Sequence, residues 1–354
     1  MSTESKYSGL LYIGSYGAES EPTIHVCSFD GETGQLEVIQ ALAHVDNASY
    51  LTLHPGGGTL YATSETDTGE VAALRIDRVT GKLSFLNERG AHGGYTCYVS
   101  TDAKGQVLLA SNYGGGNIAM FPTKTDGQLD SAAVLLPQRG DSGPNKARQE
   151  GPHPHAIVPH PTAPYVYVPD LGLDSVFVYK LDASAGTLTL HSECKLPAGG
   201  GPRHLVFHRH LPIAYVMNEM GSAVSVLRSD EEHGLLEQVQ HISSLPEDYD
   251  GYNDSADIHL SPSGRYLYCS NRGHNSLTVF RVDQNTGQLS VIQHVSSGGE
   301  TPRNFAITPD GAYLLAANQD SDLLVLFAID KETGKLHRTG KSLSLPKPVC
   351  VKFS

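Results

Sequence analysis

A phrase of about fifty residues recurs along the whole chain, and this repetition restricts the possible folds more than any other feature. Each copy combines a Pro-x-Gly turn, an aromatic strand-like segment and a closing Asp-x-x-Thr-Gly-x-Leu or a variant of it; the clearest copies span 261–289 and 308–336. The closing glycine occurs seven times, at Gly34, Gly81, Gly127, Gly186, Gly234, Gly287 and Gly334. This period indicates a chain built from seven similar units.

Each unit reads as β-structure. Short runs rich in Val, Ile, Leu and Tyr, such as 175–180 and 276–281, are typical of strands, and no stretch has a helical period over three turns. The closing Thr-Gly pairs predict tight turns in which glycine supplies a positive φ. Four strands in each of seven units predict an all-β fold, a seven-bladed β-propeller that forms a single domain over residues 1–354.

The two ends of the chain indicate how the ring closes. The first unit starts directly at 10–14 and lacks an inner strand of its own, whereas the chain finishes with an apolar segment, 348–353, that no further repeat follows. We therefore predict that the C-terminal strand completes the first blade, which would remove two open sheet edges.

Composition limits the class of partner. The formal net charge of −13 argues against nucleic acid and against an acidic membrane surface, both of which attract basic proteins. A small anionic substrate is still compatible with this net charge, because a local arginine cluster can reverse the sign of the charge within one cleft.

Cysteine usage and hydropathy indicate the location of the protein. Five scattered cysteines are typical of reduced thiols, and no apolar run is typical of a signal peptide or a membrane span. The expected location is the cytoplasm.

The repeat register predicts where the chemistry lies. In a propeller blade, the connector into the inner strand and the loop between the second and third strands lie on the same face. Units four to seven place charged residues at these positions, whereas units one to three look mostly structural. The charged residues that converge in this way are His155, Arg203, Glu219, Arg272 and Arg303. Three arginines, a histidine and a glutamate predict a site for an anionic substrate with one proton-transfer group.

Structural explanations exist for several of these residues, and His155 could simply be a core histidine whose hydrogen bonds are satisfied. The uniform Ser, Asn or Asp beside them, Asn271 included, suits turn capping. Arg203 and Arg303 could pair with Asp257 as links between blades, and Glu219 could simply neutralise arginines. A metal site is a further alternative, and its candidate ligands are His153, His155, His204 and His259.

Two insertions break the repeat, at 137–152 and 244–254. Both are polar and rich in Gly or Pro, and they precede the inner strands of units four and six. We therefore expect both to lie over the same channel mouth as loops that shape or cover the site.

Four phrases carry a resemblance to a known family: Gly-Pro-His-Pro-His-Ala at 151–156, Gly-Gly-Gly-Pro-Arg-His at 199–204, Asn-Glu-Met-Gly at 218–221 and Ser-Asn-Arg-Gly-His-Asn-Ser at 270–276. In this order they resemble the lactonase-type propellers, which include 6-phosphogluconolactonases and a fungal carboxy-cis,cis-muconate lactonizing enzyme. The resemblance implies hydrolysis of 6-phospho-D-glucono-1,5-lactone in the pentose phosphate pathway, with a small anionic lactone as the partner and with no metal or other cofactor.

The resemblance also implies a set of site residues. The catalytic residues of that family match His155, Glu219, Arg203 and Arg272 of this chain, because these four residues occupy the corresponding positions of the shared phrases. The candidate substrate-binding residues beside them are His153, His204, Asn271 and Arg303. His155 or Glu219 would act as general base, while Arg203 and Arg272 would hold the phosphate or stabilise an oxyanion.

Two other functions remain open on the sequence. A cycloisomerase that closes a carboxymuconate to a lactone would use the same His, Arg and Glu side chains. A non-catalytic propeller that serves as an interaction platform would make those side chains dispensable.

Overall fold

β-Strands make up almost all regular structure in residues 6–354, the part of the chain that this computed structural model describes. They form seven antiparallel four-stranded sheets, so the predicted seven-bladed β-propeller is confirmed. The first four blades contain β1 (Gly9–Ser15), β2 (Ile24–Asp30), β3 (Gln35–Leu42), β4 (Leu51–Leu53), β5 (Thr59–Ser64), β6 (Glu70–Ile76), β7 (Leu83–Gly90), β8 (Thr96–Thr101), β9 (Val107–Asn112), β10 (Asn117–Pro122), β11 (Val134–Pro137), β12 (Val158–Pro159), β13 (Tyr165–Asp170), β14 (Ser175–Asp182) and β15 (Thr187–Lys195).

The remaining strands complete the ring. They are β16 (Pro202–Phe207), β17 (Ile213–Asn218), β18 (Ala223–Asp230), β19 (Leu235–Ser243), β20 (Asp254–Leu260), β21 (Tyr266–Arg272), β22 (Ser276–Val282), β23 (Leu289–Ser296), β24 (Pro302–Ile307), β25 (Tyr313–Asn318), β26 (Leu323–Ile329), β27 (Leu336–Ser344) and β28 (Pro348–Phe353). A single 3-10 turn, Gln319–Ser321, is the only helical element of the described chain. No helix in that part of the chain is long and apolar enough to cross a membrane.

β28 closes the ring, as predicted. It pairs with β1 in antiparallel register, with Leu11 opposite Phe353 and Ile13 opposite Val351. β28 is thereby the innermost strand of the first blade, and it packs between β24 and β4, the inner strands of its two neighbours. Its burial removes the edge that β1 would otherwise expose to solvent.

The repeated glycines and tyrosines set the spacing of the blades. All seven closing glycines have φ between 61° and 88°, the turn conformation that the sequence predicts. In four blades a buried tyrosine of the second strand donates its hydroxyl hydrogen to the carbonyl of the next blade's closing glycine. These pairs are Tyr12 with Gly81, Tyr61 with Gly127, Tyr215 with Gly287 and Tyr268 with Gly334. The repeat therefore encodes contacts between blades as well as turns within them.

The inner strands line a central channel, and they all run from what we call the upper mouth, where they begin, to the lower mouth, where they end. β-Bulges interrupt the inner strands near the upper mouth, at Pro202–His204 in β16, Ser255–Ile258 in β20 and Pro302–Asn304 in β24. A bulge redirects side chains that a regular strand would send to opposite faces. In β16, the consecutive residues Arg203 and His204 accordingly contact each other and are both buried.

All five cysteines are buried and none forms a disulfide. Burial raises the pKa of their thiols, for example to about 12 in Cys97, so they stay protonated. They therefore pack as small apolar side chains of the sheets.

Candidate active site

The carboxylate of Glu219 lies at the upper mouth, where three guanidinium groups converge on it. Arg203 Nε and Arg272 Nη2 are 2.9 Å and 3.0 Å from Glu219 Oε2, and Arg148 Nη2 is 2.5 Å from Oε1. Burial raises the pKa of the Glu219 carboxyl, but Arg272 and Arg203 outweigh burial and hold it well below its usual range. Glu219 is therefore ionised and acts as the counter-ion of an arginine cluster.

The backbone of blade six orients two of these arginines. Arg203 Nη1 donates to the carbonyl of Ala256 at 2.7 Å, while Arg272 Nε and Nη2 donate to the carbonyls of Asp254 and Ser255 at 3.2 Å and 3.1 Å. Their ion-pair partner is Glu219, so the alternative in which Arg203 pairs with Asp257 is not what the structure contains. Both guanidinium groups are consequently rigid features of the channel wall.

His155 lies next to this cluster as a neutral imidazole. Its Nε2 is 3.9 Å from Glu219 Oε2, and its Nδ1 is buried with no hydrogen-bond partner among residues 6–354. Burial and the positive charge of Arg203 lower the pKa of His155 well below its usual value. A neutral imidazole with one ring nitrogen that no protein group occupies can serve as a general base.

Arg148 is a site residue that the register did not identify, because it belongs to the 137–152 insertion and not to the repeat. Besides its contact with Glu219, Arg148 places its Nη1 3.1 Å from Oδ2 of Asp254, a residue of the second insertion. The hydroxyl of Tyr252 donates to the same Asp254 oxygen at 2.6 Å. The two insertions therefore meet over the upper mouth, as predicted. The sequence did contain one indication of this residue, because Arg148 is an arginine in an insertion that was expected to lie over the site.

The opposite wall of the mouth comes from units one, two and seven. Tyr16 donates its hydroxyl hydrogen to Glu65 Oε2 at 3.0 Å, and the guanidinium of Arg303 lies 5.3 Å from the centre of the Tyr16 ring. The side chain of Arg303 makes no ion pair or hydrogen bond within the described chain. Tyr113 of unit three packs edge-on against His155 at 5.4 Å. Units one to three, which the sequence indicated to be mostly structural, therefore also contribute side chains to the walls of this mouth.

The other predicted substrate contacts lie at different depths. His153 stacks on Tyr113 at 4.4 Å and donates from Nδ1 to the Tyr113 carbonyl at 2.8 Å, so it supports that side chain from behind. Asn271 is enclosed within blade six, where its amide bonds Ser244 and Ser255, in line with the capping explanation. Of the added residues, Arg303 lines the same cavity as His155 and Arg203, whereas His153 and Asn271 support the walls of the site.

His204 lies deeper in the channel, one step below Arg203. Its ring centre is 5.6 Å from that of His155, and its Nδ1 donates to Asp257 Oδ1 at 2.7 Å. Burial and Arg203 lower the pKa of His204 to about 3. It is therefore a neutral, fixed part of the channel floor.

The histidines considered as metal ligands point to separate partners. His204 and His259 bond opposite oxygens of Asp257, at 2.7 Å and 2.8 Å, while His153 bonds the Tyr113 carbonyl. No group of three or more His, Cys, Asp or Glu side chains between residues 6 and 354 is arranged to hold a metal ion.

Guanidinium groups are concentrated at the mouth in a chain whose net charge is −13. The charged groups in contact with one another or with Tyr16 there are the guanidinium groups of Arg148, Arg203, Arg272 and Arg303 and the carboxylates of Glu65, Glu219 and Asp254. Partial burial strengthens their electrostatic interactions relative to those in water. The site is thus suited to an anion with a neutral base beside it.

Comparisons with known proteins agree with this architecture. The model of the family "Lactonase, 7-bladed beta-propeller" matches residues 10–353. A 6-phosphogluconolactonase of Bacillus subtilis is 37% identical over 98% of this chain and 98% of its own length, and one of Formosa agariphila is 33% identical over 84% and 86%. The solved structure of PpgL, a periplasmic gluconolactonase of Pseudomonas aeruginosa, superimposes with a TM-score of 0.92 at 32% identity, covering 98% of this chain and 99% of that one. The chain belongs to the seven-bladed β-propeller lactonase family.

Proposed function

We propose that this chain hydrolyses 6-phospho-D-glucono-1,5-lactone to 6-phosphogluconate at the upper mouth, as a lactonase of the pentose phosphate pathway. The observation that carries the proposal is the neutral His155, with an unpartnered ring nitrogen, beside a cluster of guanidinium groups. The names of the Bacillus subtilis and Formosa agariphila relatives support the choice of a phosphorylated lactone.

In the first step, water attacks the lactone carbonyl carbon. Nδ1 of His155 removes the proton of that water, and the ionised Glu219, 3.9 Å from the other ring nitrogen, stabilises the imidazolium that forms. The carbonyl oxygen becomes an oxyanion, which Arg203 stabilises with its fixed guanidinium. General base catalysis of this kind contributes roughly 10²–10⁴-fold.

In the second step, the tetrahedral intermediate collapses. The bond between the carbonyl carbon and the ring oxygen breaks, and the imidazolium of His155 returns its proton to that ring oxygen. The products are a hydroxyl group and a carboxylic acid, which loses its proton to solvent. His155 is then neutral again, and the open-chain acid leaves through the mouth.

Depth in the channel distinguishes the roles of the arginines. The Arg203 side chain is 3% exposed, that of Arg272 13% and that of Arg148 34%. The scissile carbonyl lies beside the buried His155, so Arg203 is the oxyanion partner. Arg272 and Arg148 are nearer the rim, and they bind the phosphate together with the unpaired Arg303, because the fork of a guanidinium group suits a phosphate.

The remaining predicted residues act through these groups. His153 holds Tyr113 against His155, Asn271 fixes Ser255, whose carbonyl orients Arg272, and His204 supports Arg203 from below. They are positioning residues of the lactone site.

We also infer that the protein works in the cytoplasm, where a phosphorylated sugar lactone is produced and five unpaired thiols stay reduced. The relative PpgL is named as periplasmic, so the compartment is a distinct question from the reaction. Cell fractionation with an antibody to the chain decides it, and recovery in the periplasmic fraction would contradict the inference.

A coupled assay tests the reaction. Purified protein is added to the phospholactone, and the 6-phosphogluconate formed is measured by NADP reduction. We expect hydrolysis well above the spontaneous rate, and we expect His155→Ala to lower kcat/KM by about 10²–10⁴-fold. His337→Ala, an exposed histidine of the outer strand β27, is the matched control. No gain over spontaneous hydrolysis would exclude this substrate, and a His155→Ala value within a few-fold of wild type would exclude this site.

A further inference from the structure

A second cavity, of about 350 Å³, lies at the lower mouth of the channel. Its walls come from residues of β8, β12, β16, β20 and β28, together with Tyr50. The apolar part of the wall contains Val158, Phe207 and Ile258, and the polar part contains Tyr98 and Lys352. A largely apolar pocket of this size with a few convergent polar groups is typical of a small-molecule site.

Two cations of this cavity have no carboxylate partner in the described chain. Lys352 Nζ lies 3.1 Å from the hydroxyl oxygen of Tyr50 and 4.2 Å from the centre of its ring. Arg209 is exposed at the rim and makes no ion pair within residues 6–354. Both positive charges are therefore available to a ligand.

The one carboxylate among the lining residues is already engaged. Asp257 accepts from His204 at 2.7 Å, from His259 at 2.8 Å and from the side-chain amide of Asn304 at 2.5 Å. The backbone N–H groups of Ile258 and Phe305 donate to it as well, at 3.0 Å and 3.3 Å. With five donors on its two oxygens, Asp257 organises the floor of the cavity and makes no ion pair with Lys352 or Arg209. The cavity thus favours an anion.

The aromatic residues indicate the shape of that anion. The rings of Tyr50 and Tyr98 are stacked, with their centres 4.0 Å apart and an angle of 26° between their planes. Burial raises the pKa of both phenols well above its usual value, so both hydroxyl groups stay protonated. We propose that the lower mouth binds a small planar organic carboxylate, whose charged end meets Lys352 and Arg209 and whose flat body packs against the apolar wall.

The lower cavity is separated from the lactone site by packed side chains. His204 lies edge-on to both Tyr50 and Tyr98, at 5.8 Å and 5.3 Å, and contacts Arg203 from the other side at 3.1 Å. A ligand of the lower mouth accordingly does not contact Glu219 or His155. Binding there is a property distinct from lactone hydrolysis, and each can be present without the other.

A fluorine NMR titration of the full chain with 4-fluorobenzoate tests the proposal. We expect saturable binding with a Kd of about 1 mM or below, the affinity that a ligand of ten heavy atoms commonly reaches. Lys352→Met should weaken binding at least about tenfold, since a charge-assisted contact is lost, while Lys352→Arg should retain it. Lys335→Met, in an exposed turn, is the matched control. The uncharged isostere 4-fluorobenzyl alcohol should bind at least about tenfold more weakly.

Competition separates the two mouths. Saturating 6-phosphogluconate should leave the Kd of 4-fluorobenzoate unchanged, and Lys352→Met should keep its lactonase rate within a few-fold of wild type. Absence of saturable binding up to about 10 mM would overturn the proposal. Displacement by 6-phosphogluconate, with normal binding to Lys352→Met, would also overturn it, because the probe would then occupy the upper mouth. Thermal unfolding of each variant verifies that it is folded.

Discussion

Glu219 and His155 have different roles at the upper mouth: Glu219 balances charge and His155 accepts a proton. Glu219 offsets the charge of three guanidinium groups, of which that of Arg203 is buried, and burial together with Arg272 lowers the pKa of Arg203 to about 10. A carboxylate held so firmly in its ionised form is a weak base, whereas the uncharged ring of His155 is free to accept a proton. Proton transfer is therefore assigned to the histidine and charge balance to the glutamate.

The pH dependence of hydrolysis follows from the lowered pKa of His155. The neutral, active form of a base persists above its pKa, so lowering that pKa moves the acidic loss of activity to lower pH. We expect the acidic limb of kcat/KM to have its midpoint below the ordinary histidine value of 6.5 and the rate to be flat from there to neutrality. Initial rates corrected for spontaneous hydrolysis measure it. D-Glucono-1,5-lactone is the control substrate, because it lacks a phosphate that titrates near pH 6. A midpoint above 6.5 would contradict the assignment.

The depth of the arginines predicts a kinetic difference between them. Arg148→Met should raise KM for the phospholactone about tenfold with kcat within a few-fold, because it removes a phosphate contact that is equal in ground and transition states. Arg203→Met should lower kcat about 10²–10³-fold, since it removes an oxyanion partner. With unphosphorylated gluconolactone as control, Arg148→Met should have little effect. Equal losses of kcat in both variants would refute this division of roles.

At the scale of elements, β-bulges and loops decide which side chains reach the channel. The bulge in β16 lets Arg203 and His204 both enter it, which strict alternation along a strand forbids. The two insertions bring Arg148 and Asp254 together above Glu219. The inner strands thus form a rigid wall, and the bulges and insertions position the charged side chains of the site on that wall.

The C-terminal strand is the element on which closure depends. Truncation after residue 345 exposes the edge of β1 and removes the buried residues Val349, Cys350 and Val351. Burial of each of the two valines alone contributes about 1.5–3 kcal/mol. We expect aggregation or a loss of thermal stability above about 10 °C, measured by circular dichroism and light scattering.

A circular permutant is the control for this truncation. Residues 346–354 are placed ahead of residue 6 through a short glycine linker, which is feasible because Ser354 N already donates to the carbonyl of Leu10 at 3.0 Å. If closure by β28 is the cause of the instability, the permutant regains a melting temperature near that of wild type. An unchanged melting temperature after truncation would show that closure contributes little.

For the whole molecule, ring closure predicts cooperative unfolding of one domain. Every blade packs on two neighbours, and no junction between blades lacks its tertiary contacts. We expect a single calorimetric transition whose van't Hoff and calorimetric enthalpies agree, with the same midpoint by near- and far-UV circular dichroism. Two separated transitions would indicate that groups of blades fold independently, and residues 1–354 would then not be one domain.

Much of the fold was predictable because its information is local and periodic. The seven glycine turns, the strand patterns and the unpaired terminal strand are each read from neighbouring residues, and repetition removes the ambiguity of any single unit. The same register brought His155, Arg203, Glu219, Arg272 and Arg303 to one mouth, because equivalent positions of a repeat occupy equivalent places in the ring.

What the sequence by itself determined is therefore the propeller, its closure and the face on which charge gathers. Tertiary structure alone decided that Arg148, 71 residues from Glu219 in the chain, contacts it, and that Tyr16, Glu65 and Tyr113 complete the walls. The reason is physical: loop conformation has no period, and depth in a channel, which sets desolvation and hence the charge state of His155 and Glu219, depends on packing from every blade at once.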